Sequence, residues 1–88
     1  MKSYKLILSN QADHALERIQ EREPELFRRV VNALDGLEKN PFQGKPLKGE
    51  LKGCYSYRIG TYRIVYRIEH HQLLVIVIDI GHRRDIYK

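Results

Sequence analysis

The sequence predicts a small α+β domain in which a helical hairpin covers a mainly antiparallel sheet, in the order β-α-α-β-β-β. Three observations carry this. Residues 54–59 and 62–68 both alternate, rich in aromatic and β-branched side chains, and only Gly60-Thr61 separates them. Residues 10–39 instead space their apolar side chains at helical intervals. Residues 73–80 then run apolar on both faces until Asp79, as a central strand does. The chain of 88 residues is long enough for one such domain over 1–88 and has no room for a second.

Taken in order, residues 4–8 (Tyr-Lys-Leu-Ile-Leu) form a short strand, after which Ser9 or Asn10 offers a helix N-cap. Ala12, Ala15, Leu16 and Ile19 place a first helix over about 10–22. Pro24 interrupts it and is well tolerated in the first turn of the next, where Leu26, Phe27, Val30, Val31, Leu34 and Leu37 make a wider stripe to about Lys39. Arg18, Arg22, Arg28 and Arg29 interleave with Glu17, Glu21, Glu23 and Glu25, a pattern expected of a solvated, mutually compensated surface. Residues 40–44 end the helix as a loop. The following loop, 45–53, carries glycines and Lys45, Lys48 and Lys52; it is either a mobile connector or a contact to a phosphate backbone.

Gly at the first position of a two-residue turn is a type II′ signature. The register it sets pairs Ile59 with Tyr62, Arg58 with Arg63 and Tyr57 with Ile64. One face then holds Tyr55, Tyr57, Ile59, Tyr62, Ile64, Tyr66 and Ile68 and needs a core. The other holds Cys54, Ser56, Arg58, Arg63, Val65 and Arg67. Like charges directly opposite repel by up to about 1 kcal/mol, so the arginine pair either points into water or receives an anion between its guanidiniums, whose planar forks suit a phosphate. After a second turn at residues 69–72, the third strand leads to Gly81, expected to end it sharply and to deliver His82, Arg83, Arg84 and Tyr87 to the basic face. His70 and His71 are neighbours that point apart with no third ligand at a plausible spacing, so no metal is expected.

The formal charge of +5 is unevenly placed: residues 1–42 hold seven Lys and Arg against seven Asp and Glu, and residues 43–88 hold nine against four. A polyanion, nucleic acid before membrane, is the partner this suggests. No run approaches the length of a membrane span, and the N-terminus lacks the apolar stretch of a signal peptide. The single Cys54 fits a reducing compartment, so a cytoplasmic protein is expected.

Leu47-Lys48-Gly49, the run Tyr57-Arg58-Ile59-Gly60-Thr61-Tyr62-Arg63-Ile64-Val65-Tyr66, and Gly81-His82-Arg83-Arg84-Asp85-Ile86-Tyr87 resemble the RelE branch of the RelE/ParE superfamily of toxins from type II toxin-antitoxin pairs. The resemblance covers the whole chain. It implies a compact, metal-independent endoribonuclease without cofactors, an mRNA interferase that enters the ribosomal A site, cuts mRNA there to inhibit translation, and is silenced by a cognate antitoxin. Operator DNA would be contacted only through the toxin-antitoxin complex. Residue by residue, Arg63 and Arg83 match arginines that hold the scissile phosphate, and Tyr87 matches a C-terminal tyrosine that activates or orients the 2′-hydroxyl. Arg58 takes a strand position where relatives often carry lysine. The sequence departs from the pattern at Ser56, where some members have a second lysine, and at His82, where those members have another basic side chain.

The expected chemistry is attack of the 2′-oxygen on the adjacent phosphorus, with Arg58, Arg63 and Arg83 stabilising the charge that gathers on the non-bridging oxygens. Tyr87 would take the proton or stack on a base, and His82 would protonate the leaving 5′-oxygen. Lys45, Lys48, Lys52, Arg67 and Arg84 are the expected RNA-backbone contacts. Two rivals stand beside this reading: a ParE-like inhibitor of DNA gyrase, and a non-catalytic RNA-binding module on the same basic face.

Overall fold

The computed structural model describes residues 4–82. β1 (Lys5–Leu8) leads into α1 (Asn10–Arg22) and α2 (Pro24–Lys39), then come β2 (Lys45–Pro46), β3 (Cys54–Ile59), β4 (Tyr62–Glu69) and β5 (Leu74–His82). The strands form one sheet in the order β1-β5-β4-β3-β2, antiparallel except where β1 runs parallel to β5. The expected α+β fold is therefore present, with a two-residue strand, β2, added at the edge where the sequence suggested a loop.

Ser9 explains how the first strand turns into the first helix. Its side-chain oxygen accepts the Ala12 N–H at 3.0 Å, and its hydroxyl donates to the Ile78 carbonyl at 2.7 Å. One hydroxyl thus caps α1 and pins it to β5. Ala12, Ala15 and Ile19 form the buried stripe of α1, and Val30, Leu34 and Leu37 that of α2. They meet Ile59, Ile64, Tyr66, Ile68, Val75, Val77 and Ile80 from the sheet in one continuous core. Each fully buried branched or aromatic side chain contributes about 1.5–3 kcal/mol relative to exposure. Ser9→Ala removes the cap and leaves the Ile78 carbonyl without its hydroxyl partner, so an equilibrium urea titration is expected to show a loss of about 0.5–2 kcal/mol.

The hairpin register is the predicted one: Ile59 opposite Tyr62, Arg58 opposite Arg63, Tyr57 opposite Ile64. Gly60 has φ +59°, the left-handed first position that a type II′ turn demands. The second turn sits one residue later than expected, over 70–73, since β4 runs through Glu69, Leu73 takes φ +54° and the last strand starts at Leu74. β5 carries a register shift. Val65 pairs with Asp79 but Tyr66 pairs with Val77, so Ile78 is an extra residue, and its carbonyl is the one held by Ser9. Nor does Gly81 end the strand: it pairs with Arg63, and His82 with Tyr62.

Candidate active site on the basic sheet face

Alternation along β3 and β4 turns Ser56, Arg58, Arg63, Val65 and Arg67 away from the helices. β2 extends this face, because Lys45 pairs with Ser56 and so shares its side of the sheet. The edge strand is placed by a distant tether. Tyr66, fully buried, donates its hydroxyl to the Pro41 carbonyl at 2.6 Å and accepts the Gly44 N–H at 2.9 Å. Gly44 approaches so closely that a Cβ there would overlap the Tyr66 hydroxyl and lie 3.0 Å from two ring carbons. Gly44→Ala is expected to displace β2 and lower the thermal midpoint; a variant that melts with the wild type would contradict this account of how Lys45 is positioned.

The result is a groove of about 330 Å³ lined by Gln43, Lys45, Ser56, Tyr57, Arg58 and Arg63, of a size that ligand clefts commonly have. Among these described lining residues three are cations and none is a carboxylate. Arg63 is fixed: its Nη1 donates to the Ser56 hydroxyl at 3.1 Å, which accounts for a serine only 3% exposed, and its Nε is buried. Across the strands Arg58 is exposed, and among the described residues neither it nor Lys45 is held in an ion pair. On the other side of Arg63 stands Gly81, which adds no side chain to this face. The groove therefore combines a braced guanidinium, an exposed one opposite and a lysine on the rim, an arrangement that can grip a phosphate from two sides.

The other expected site residues fall in three groups. Arg67 lies on the same face, exposed, opposite Cys54 and Ile76. Lys48 and Lys52 are exposed beyond β2 and do not line the groove. Arg83, Arg84 and Tyr87 lie outside the described residues. His82 is not brought to the arginine pair. Its ring makes an edge contact with Tyr62 at 5.7 Å, and it lines a cleft on the helix side with Arg18, Arg22 and Glu23. The extra residue Ile78 is the reason: strict alternation from Val75 and Val77 would turn His82 to the arginine face, but the shift puts Ile80 and His82 on the helix side and Asp79 and Gly81 on the other.

Sequence reasoning passed over Gln43, which enters the groove through the turn before β2, and Asp79, which joins the basic face. Asp79 is occupied locally, its Oδ1 accepting the Ile80 N–H at 2.9 Å. Among the described residues no three His, Cys, Asp or Glu side chains gather as metal ligands would. None of the helices there is long and apolar enough to cross a membrane.

The fold and the face define a small α+β protein with a groove lined by Lys45, Arg58 and Arg63 on its basic sheet face. Residues 6–87 match the profile of the ParE toxin of type II toxin-antitoxin systems. The chain is 42% identical over 67 residues to the toxin RelG of Mycobacterium tuberculosis, covering 74% of this chain and 77% of that one. Among solved structures, the toxin-antitoxin complex RelBE2 from Mycobacterium tuberculosis superposes with a TM-score of 0.80 at 34% identity, covering 94% of both chains. The YoeB/ParE toxin from Agrobacterium tumefaciens shares the fold, with a TM-score of 0.81 at 24% identity over 89% of this chain and 96% of that one. The chain belongs to the RelE/ParE superfamily and is a type II toxin of the RelE/YoeB kind.

Proposed function

We propose that this toxin is a ribosome-dependent endoribonuclease that cuts mRNA in the A site. The observation that carries the reading is the groove in which Lys45, Arg58 and Arg63 converge around Ser56, with no carboxylate among its described lining residues. In the proposed reaction the 2′-oxygen forms a bond to the adjacent phosphorus and the bond from phosphorus to the 5′-oxygen breaks. The products are a 2′,3′-cyclic phosphate and a 5′-hydroxyl. Arg63, braced by Ser56, donates to a non-bridging oxygen as charge develops there, and Arg58 approaches from the opposite strand. Preorganised donors of this kind are the largest single contribution in many enzymes. The same three cations disfavour a divalent metal ion in the groove, so the mechanism is written without one.

Arg83 and Tyr87 complete the proposed site, Arg83 as a further phosphate ligand and Tyr87 as the group that takes the 2′-proton or stacks on a base. Since His82 stands on the helix side, protonation of the leaving 5′-oxygen falls to Tyr87, Arg83 or water. Lys45, Arg67 and, further out, Lys48 and Lys52 supply backbone contacts, a task also assigned to Arg84. So few reacting groups make the ribosome a partner in orienting the mRNA. A cognate antitoxin is the second expected partner, in keeping with the complexes that relatives form, and the cytoplasm is where both partners would be met.

The test reads the chemistry of the cut. Programmed ribosomes incubated with the purified toxin should yield downstream fragments that accept a 5′-phosphate from a kinase without prior phosphatase treatment. An mRNA carrying a 2′-deoxy residue at the cut step should stay intact. Cleavage of the 2′-deoxy message would rule the mechanism out. The family profile carries the ParE name, and the competing reading as a gyrase inhibitor predicts no fragments and a loss of supercoiling instead.

A further inference from the structure

β2 covers only part of the sheet edge: it pairs with Tyr55 and Ser56, and among the described residues no strand lies on that side of Tyr57, Arg58 and Ile59. In a two-residue hairpin the residues flanking the turn exchange both backbone bonds. Ile59 and Tyr57 therefore turn their peptide groups toward β4, and Arg58 turns its own outward. That open edge borders a second cleft, of about 370 Å³, whose far wall is α2, through Arg29, Asn32 and Ala33. Tyr57 and Arg58 line both clefts, so the two adjoin at the edge of the sheet.

The helix surface is less compensated than expected: Arg28 reaches Glu25 at 3.8 Å, but among the described residues Arg18 and Arg22 have no ion pair and neither does Arg29. The Arg29 guanidinium lies over the hairpin turn, 3.8 Å from where a Cβ on Gly60 would be. Two uncompensated guanidiniums, an amide and a partly buried phenol thus surround one cleft, with the outward N–H of Arg58 at its floor. This donor set suits a phosphodiester with a ribose or base against Tyr57.

We propose that this cleft is a second phosphate subsite, in which Arg29 and Asn32 hold the RNA backbone next to the phosphate gripped by Arg58 and Arg63. The proposal rests on the reading of the groove as an RNA site. It gives α2 a task in choosing the path of the strand, and makes Arg29 a positioning residue, remote from the reacting atoms.

Binding is read with single-stranded RNA made uncleavable by 2′-deoxy substitution, as a dinucleotide and as a hexanucleotide, across a range of salt concentrations. The wild type is expected to show a steeper salt dependence on the hexanucleotide. Arg29→Ala should lower that slope by about 0.7, the value for one phosphate of a single strand, and leave the dinucleotide slope unchanged. Arg29→Lys should restore most of the slope. Arg28→Ala removes the same charge from a paired position and should alter neither. Equal effects of Arg28→Ala and Arg29→Ala, or none from either, would overturn the subsite. Because the probe cannot be cut, the result is independent of the cleavage reading. A toxin that cuts mRNA but shows no Arg29 effect has the groove without the subsite. One that binds as predicted but never cuts has the subsite without the nuclease.

Discussion

Arg63→Ala is expected to lower the single-turnover rate of cleavage on programmed ribosomes about 10²–10³-fold, the usual consequence of removing one preorganised donor to developing oxyanion charge. The size follows from how Arg63 is held. Its Nη1 is bonded to a serine buried in the sheet, and its neighbour on β5 is a glycine, so the guanidinium is already oriented when the phosphate arrives. Arg58, exposed and without that brace, should matter less: Arg58→Ala is expected to weaken binding more than it slows the bound complex. Arg63→Lys separates charge from shape. A lysine keeps the charge but loses the fork, so it should recover only a fraction of the rate. A folded Arg63→Ala protein that cuts within a few-fold of the wild type would remove this residue from the mechanism.

Tyr66→Phe is expected to be the most damaging conservative change to stability. The phenol bridges the Pro41 carbonyl and the Gly44 N–H inside the fold, and its ring stacks on Tyr55 at 5.6 Å. Deleting only the oxygen leaves two backbone groups without their partner, a loss of about 1–3 kcal/mol. The same residue gives stability an alkaline limb. Burial pushes the Tyr66 phenol above its ordinary value of 10.0. The unfolded chain therefore loses that proton at a lower pH than the folded one. Below about pH 10 the contribution is fully present; as pH rises from there toward the folded value, ionisation favours the unfolded state and stability falls. Urea titrations at about pH 8 and about pH 11 should show a drop in the wild type that is smaller in Tyr66→Phe by the share this tyrosine contributes. Equal drops in the two proteins would show that the limb belongs to other groups.

The hairpin was legible in the sequence because two local signals agree: period-2 alternation in both strands, and a glycine where a two-residue turn needs positive φ. Together they gave the Arg58 and Arg63 pairing and the side on which it faces. Both helices were legible for a similar reason, with Ser9 and Pro24 marking their starts. β2 was not. Lys45 and Pro46 carry no periodicity, and what makes them a strand is a tyrosine more than twenty positions later that fixes the preceding turn. The side taken by His82 was equally hidden. It depends on one extra residue in β5 whose carbonyl is satisfied by Ser9, a contact spanning most of the chain, and an apolar run through Ile80 gives no sign of where alternation slips. Arg29 was hidden by composition, since its glutamate neighbours suggest pairing in general and only the fold shows that Arg28, not Arg29, reaches Glu25.

The groove formed by Lys45, Arg58 and Arg63 is proposed to cut mRNA when the ribosome presents it. The direct measurement is 5′-end mapping of one mRNA incubated with purified toxin, with and without ribosomes, beside the Arg63→Ala protein. Cuts that require both the ribosome and Arg63 are expected. Translation that proceeds intact with no new 5′ ends, or cuts of equal strength in the Arg63→Ala protein, would contradict this role for the groove.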